Sequence, residues 1–294
     1  HLMAEESPRL PDPERELIAP EPGLPAAASS RETKKERLRF WFFLGAAALL
    51  GVILYLLPPG GFWSKLSGIG YSVCHQIPDR SFFAHDHQFP LCARCTGMYL
   101  GALLALLPQL IRGRKNKFPP PVVLAALGLL FAAFAADGLN SFAGTFLPFR
   151  LPYQTTNLLR LITGLGAGLC IGAVLAPLFH QSAWSDAEAA AFLSTLPRLF
   201  ALMGAAALIG WAVYSGPDWL KIPLAVISVL AVPIILTLAY TILAVMLMNR
   251  TNQSRRWRDL RLPLTMGLCA ALAQILLLDL LRLWLTGTWA AINL

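Results

Sequence analysis

"NLLRLITGLGAGLCIGAVLAPLFH" runs from Asn157 to His180, with no charged residue between Arg160 and His180. A helix rises about 1.5 Å per residue, and roughly 20 apolar residues cross a hydrocarbon core of about 30 Å. The stretch therefore predicts a membrane-spanning helix. Gly164, Gly168 and Gly172 recur every fourth residue along it. Such a stripe of small residues lets a second helix approach backbone to backbone. Gly97, Gly101 and Ala105 repeat the pattern in "TGMYLGALLALLPQL".

The rest of the chain agrees with a membrane reading. It has 294 residues, 56% hydrophobic and 14% charged, where a soluble domain carries about a quarter charged residues. About seven spans are expected, at roughly 40–57, 93–111, 121–137, 157–179, 196–214, 220–247 and 262–286, with six or eight the alternatives because the third is short and the fifth and sixth are joined by the tight "SGPD" turn. Backbone polar groups in lipid must be satisfied within the segment, so each span is a helix. The fold class is an all-α polytopic bundle. His1 and Leu2 read as the remnant of a cleaved tag, and Met3 as the native start. Residues 1–38 read as a disordered tail with a basic end, 39–180 as the membrane core, and 181–294 as a carboxyl-terminal transmembrane extension. No cleavage pattern follows the first apolar run, so the first span is expected to be retained.

The net charge of +8 reflects basic loops and not a nucleic-acid partner. Basic runs at Arg31–Arg39, Arg112–Lys117 and Asn249–Arg261 fall on one side of a seven-span chain. The positive-inside rule makes that side cytoplasmic. A plasma-membrane protein with its amino terminus inside is expected. The loop from His180 to Pro197 falls on the same side and is not basic.

On the opposite face lies "CHQIPDRSFFAHDHQFPLCARCTG", Cys74 to Gly97, with three of five cysteines and three of five histidines. Cys74, His75, Cys92 and Cys95 supply four ligands of the kind tetrahedral zinc takes. Copper(I) is the alternative, since thiolates favour it and Met98 is near. Two other readings stand beside the metal. A disulfide or exchange-active thiol fits an oxidising outer face, and the cysteines could merely tie down a loop. His85 and His87 read as exposed loop residues, and Cys170 and Cys269 as small core residues.

Polar groups inside a membrane are costly and therefore informative. Asp137 and Asn140 fall at the outer end of the third span. Asn157 and Arg160 begin the fourth, three residues apart. Asp137 is expected to pair with Arg160, and Asp279 with Arg282 three residues on. Arg94, Asp137, Asn157 and Arg160 belong to the outer ends of three helices and are candidates for one catalytic pocket.

The segments "CHQIPDRSF", "PLCARCTGMYLG", "DGLN" and "TTNLLRLITG" together resemble an uncharacterised family of polytopic prokaryotic membrane proteins, a domain of unknown function. The resemblance covers roughly residues 71–172. Where the family often has Gln, this chain has Asn140. The resemblance implies a shared site but names no activity.

Three functions follow from these residues. One is a metal-dependent enzyme on a lipid or polyprenyl phosphate, with Asp137 as base and Arg94 and Arg160 holding the anion. The second is a transporter or binding protein with a structural metal. The third is a membrane thiol–disulfide oxidoreductase. There is no phosphate-binding loop, dinucleotide fingerprint, His-Glu-x2-His pair or Gly-x-Ser-x-Gly elbow, which argues against an ATP-driven pump or a common hydrolase.

Overall fold

A computed structural model describes residues 34–146 and 153–289. The expected tail at 1–38 lies outside the described residues up to 33, and from Lys34 the chain is already helical. The long helices are α1 (Lys34–Leu56), α3 (Ala93–Ile111), α4 (Pro121–Phe146), α5 (Asn157–Ala183), α6 (Leu196–Ser215), α7 (Asp218–Leu247) and α8 (Arg261–Thr286). Each of the seven is apolar enough to span a membrane. A short eighth helix, α2 (Phe62–Tyr71), precedes the cysteine segment. The expected third span ended at 137, but α4 runs nine residues further. Its polar "DGLNS" continues the helix because Asp137, Asn140 and Ser141 are buried against neighbours and do not face lipid.

α3 and α5 form the centre of the bundle and run parallel. A Cβ on Gly97 or Gly101 would overlap the carbonyls of Leu161 or Leu165, and one on Gly164 or Gly168 those of Arg94 or Met98. At Gly172 it would lie 2.5 Å from the Ala102 carbonyl. The two glycine stripes thus face each other along both helices, with no room for a side chain between. Gln109 and His180 seal the far end of the pair. The Gln109 amide donates to the Gly172 carbonyl at 3.1 Å, and His180 Nε2 lies 3.2 Å from the Gln109 carbonyl.

α4 packs on α5, α7 on both central helices, and α8 on α7 and α1. α7 and α8 form an antiparallel hairpin in which Gly267 fits against the Thr237 carbonyl and the Thr241 hydroxyl. The turn between α6 and α7 is as tight as "SGPD" implies, from Ser215 to Asp218.

The basic segments gather at one end of the bundle. Arg250 pairs with Glu36 at the start of α1. Arg114 pairs with Asp186, donates to the Arg255 carbonyl at 2.9 Å and stacks on the Trp184 ring at 3.7 Å. At the same end, β3 (Lys115–Lys117) and β4 (Glu188–Ala191) pair in parallel. The loop after α5, which carries no basic run, is thus the acidic and aromatic partner of its basic neighbours.

Candidate metal centre

The opposite end carries the cysteines. Between α2 and α3 the chain makes a tight loop and an antiparallel hairpin, β1 (Ser81–Ala84) and β2 (His87–Cys92). The alternation in "SFFAHDHQF" is a strand signal that a reading for spans alone passes over. His85 takes a left-handed φ of 50° in the turn. Its backbone N–H donates to Asp218 at the start of α7, 3.1 Å away.

β2 hands the chain directly to α3, so Cys92 sits at the helix N-cap and Cys95 in its first turn. Cys74 arrives from the loop after α2. Gly70 lets that helix close on β2, because a Cβ there would overlap the Pro90 carbonyl. Gln76, with a left-handed φ of 56°, then locks the loop. Its amide donates to the carbonyls of Ser67 at 2.7 Å and Pro90 at 2.8 Å, and its own carbonyl accepts from Gln88 at 2.7 Å.

The sulfurs of Cys74, Cys92 and Cys95 all lie within 4.8 Å of one another. All three are free thiols. A tetrahedral zinc with Zn–S bonds of about 2.3 Å holds its sulfurs about 3.8 Å apart, so a small contraction would seat an ion. Cys74 Sγ accepts two backbone N–H groups, from Cys92 at 3.2 Å and Gln76 at 3.4 Å. The Cys74 and Cys95 thiols, helped by the amides at the start of α3, hold Cys92 well below the usual thiol range. The price falls on Cys74, pushed up to about 12 chiefly by Cys92 beside it and by burial. The wall behind the sulfurs is apolar: Leu66, Leu91, Val229, Val232 and Ile275, with Tyr99 at its edge.

His75 does not join the cluster. Its side chain is exposed, and its carbonyl accepts from Arg282 at 3.1 Å. The reason is the turn of the loop: Cys74 and Gln76 point inward, so the residue between them points out.

The polar candidates form a second group beside the first. Asp137 does not pair with Arg160. Its partner is Arg94, whose guanidinium also donates to the Asp137 backbone carbonyl at 3.1 Å. Asp137 is 1% exposed, so the pair is buried on the Asp side. Arg160 instead donates to Asn157 Oδ1 at 2.8 Å and lies 3.5 Å from the Ser141 hydroxyl. Asn157 in turn donates to the Asp79 carbonyl at 3.0 Å, tying α5 to the loop before the hairpin. Asn140 donates to the Tyr153 carbonyl at 3.0 Å. Ser141 follows Asp137 by one turn of α4, so both arginines meet the same stretch of that helix. Arg94, Asp137, Asn157 and Arg160 are therefore brought together, with different pairings from those expected.

Asp279 and Arg282 make no ion pair among the described residues. Arg282 reaches across to the cysteine loop, donating to the carbonyls of Tyr71 at 2.7 Å, Cys74 and His75, and lying 3.7 Å over the Tyr71 ring. Both Asp279 oxygens are buried without a hydrogen-bond partner among the described residues. Three carbonyls at a tight loop outcompete one carboxylate on the same helix. Arg282 is the site residue missed in the sequence, where nothing but its outer position hinted at the role. Cys170 behaves as a core thiol, donating to the Leu127 carbonyl at 3.0 Å.

Residues 74–174 match the model of a family described as "Predicted membrane protein (DUF2085)". An uncharacterized protein of Methanocaldococcus jannaschii is 30% identical over 152 residues, which are 49% of this chain and 90% of that protein. One of Methanothermobacter thermautotrophicus is 36% identical over 108 residues, 37% of this chain and 88% of that protein. No solved structure matches the chain. The chain belongs to the DUF2085 family of membrane proteins.

Proposed function

We propose that this member of the DUF2085 family binds one zinc ion through Cys74, Cys92 and Cys95 on the outer face of the plasma membrane, and that the neighbouring arginines receive the anionic headgroup of a lipid or polyprenyl phosphate. The observation that carries the reading is the convergence of three sulfurs from three segments, one of them already accepting two N–H groups. A disulfide joins two sulfurs at about 2.05 Å and would strand the third against an apolar wall.

The donor set is three soft ligands from the chain, which leaves a fourth position for water or a substrate oxygen. An ion so held supplies Lewis acidity or a water of lowered pKa. The residues around it do the rest. Arg94 is oriented by Asp137, and Arg160 by Asn157, so both guanidiniums are held in place before a ligand arrives. Arg94 and Arg160 meet the same end of α4, where Asp137 is the buried carboxylate, a balance that favours an anion. We read α6 to α8, outside the family match, as an extension in which α7 and α8 wall the site.

Elemental analysis of the reduced, purified protein tests this. About one zinc per chain is expected, lost in Cys74→Ser, Cys92→Ser and Cys95→Ser and kept in His75→Ala. Metal-free protein that is equally stable in chelator, or one zinc that survives the cysteine replacements, sinks the metal site. Lipid phosphate binding that survives Arg160→Gln in the zinc-loaded protein sinks the headgroup reading alone.

A further inference from the structure

At the end of α3 opposite the cysteines a cavity of about 460 Å³ opens between α3, β3 and the start of α6. Its lining carries Arg112, Lys115 and Arg198, and among the described residues no acidic one lines it. About one turn further along each helix the lining is apolar, Pro108 of α3 and Ala201 and Leu202 of α6, with Phe192 beside them. Charge thus gives way to apolar surface within about one helical turn, the same gradient that a bilayer interface has.

Two of the three cations are uncommitted. Among the described residues no side-chain partner is found for Arg112 or Lys115. Glu188, the register partner of Lys115 across the small sheet, makes no ion pair with it. Arg198 is held by its own loop, donating to the Phe192 carbonyl at 3.0 Å and the Ser194 hydroxyl at 2.8 Å. That bonding points its charge without neutralising it. Beside the cavity, Leu107, Ile111 and Phe200 are strongly exposed, as residues facing acyl chains are.

We propose that this cavity is a binding site for an anionic phospholipid, its phosphate among Arg112, Lys115 and Arg198 and its first acyl carbons against Pro108, Ala201 and Leu202. Charge complementarity selects the headgroup, and the apolar side selects a lipid over a free anion. A zwitterionic lipid offers the same tails but brings its own cation to a lining that already has three. This site is separate from the arginines near the cysteines, and it stands whether or not those bind a ligand.

The test uses the whole protein, delipidated in detergent, with binding of phosphatidylglycerol, phosphatidylcholine and inorganic phosphate read by native mass spectrometry. Phosphatidylglycerol should bind first and most tightly. Each of Arg112→Gln and Lys115→Gln should weaken it roughly fivefold, in line with the pull of one basic residue on an anionic lipid. Leu202→Trp, which fills the apolar side and leaves the charge alone, should abolish lipid binding here while leaving any binding of inorganic phosphate in place. Equal binding of the two lipids overturns the proposal, as does a preference that survives both the double cation variant and Leu202→Trp. Inorganic phosphate that binds as well as the lipid also overturns it, since the site would then take a free anion. Should the variants misfold, the wild-type ranking of the three ligands still decides.

Discussion

α5 and α1 are both long and both apolar, with mean hydropathies of 2.0 and 1.9 over their greasiest stretches, yet 67% of that stretch is buried in α5 and 6% in α1. α3 is the least apolar of the seven, at 1.3, and is 56% buried. In water, greasiness ranks with burial. Here it does not, because lipid is as good a solvent for Leu as another helix is. What separates the two helices is small residues. α5 meets α3 through Gly164, Gly168 and Gly172, while among the described residues nothing lies within 4 Å of where a Cβ on Gly45 or Gly51 of α1 would sit. Association inside the bilayer follows close backbone approach and polar contacts.

The contrast can be broken where the central pair is joined to α4. Asp137→Asn leaves Arg94 without its counter-charge, and an uncompensated buried partner costs about 3–5 kcal/mol. A large drop in melting temperature is expected, with bound metal retained below the transition. The clamp from the periphery is the next test. Arg282→Gln removes charged hydrogen bonds to the cysteine loop, worth about 1.5–3 kcal/mol together with its stacking. Here the expected signature is different: metal affinity falls more than the stability of the helices, read by chelator competition beside thermal unfolding.

The glycines sharpen the contrast directly. Gly168→Ala forces α3 and α5 apart and should destabilise by about 1–3 kcal/mol, as overpacking does. Gly45→Ala meets open space and removes backbone freedom from the unfolded chain. It should be neutral or stabilise by up to about 1 kcal/mol. Equal effects of the two alanines would remove the argument that approach distance, not apolarity, builds the core.

Much of this was legible in the sequence for a physical reason. Lipid leaves the backbone no alternative to a helix, so seven apolar runs became seven helices, and the glycine spacing located the central contact. The cysteines were legible because sulfur is scarce and clustered. Three things were not. α2 and the hairpin are short, amphipathic and outside the lipid, where the constraint on the backbone lapses. The partner of Asp137 depended on helix rotation: Arg94 and Cys95 are neighbours in the chain, but about 100° of turn sends one toward α4 and the other toward the sulfurs. Spacing of three residues allowed Asp279 to meet Arg282, yet it could not reveal that three loop carbonyls stood within the arginine's reach.

The clamp on the cysteine loop also sets an order of events during synthesis. The carbonyls of Tyr71, Cys74 and His75 are held by a guanidinium that leaves the ribosome 207 to 211 residues later. Until α8 is inserted, the loop that carries Cys74 lacks its final tether, and the three thiols are open to any ion or oxidant that reaches them. Closure by α8 is then the step that ends this vulnerable interval. A chain stalled before Arg282 would present the same cysteines in an unfastened loop.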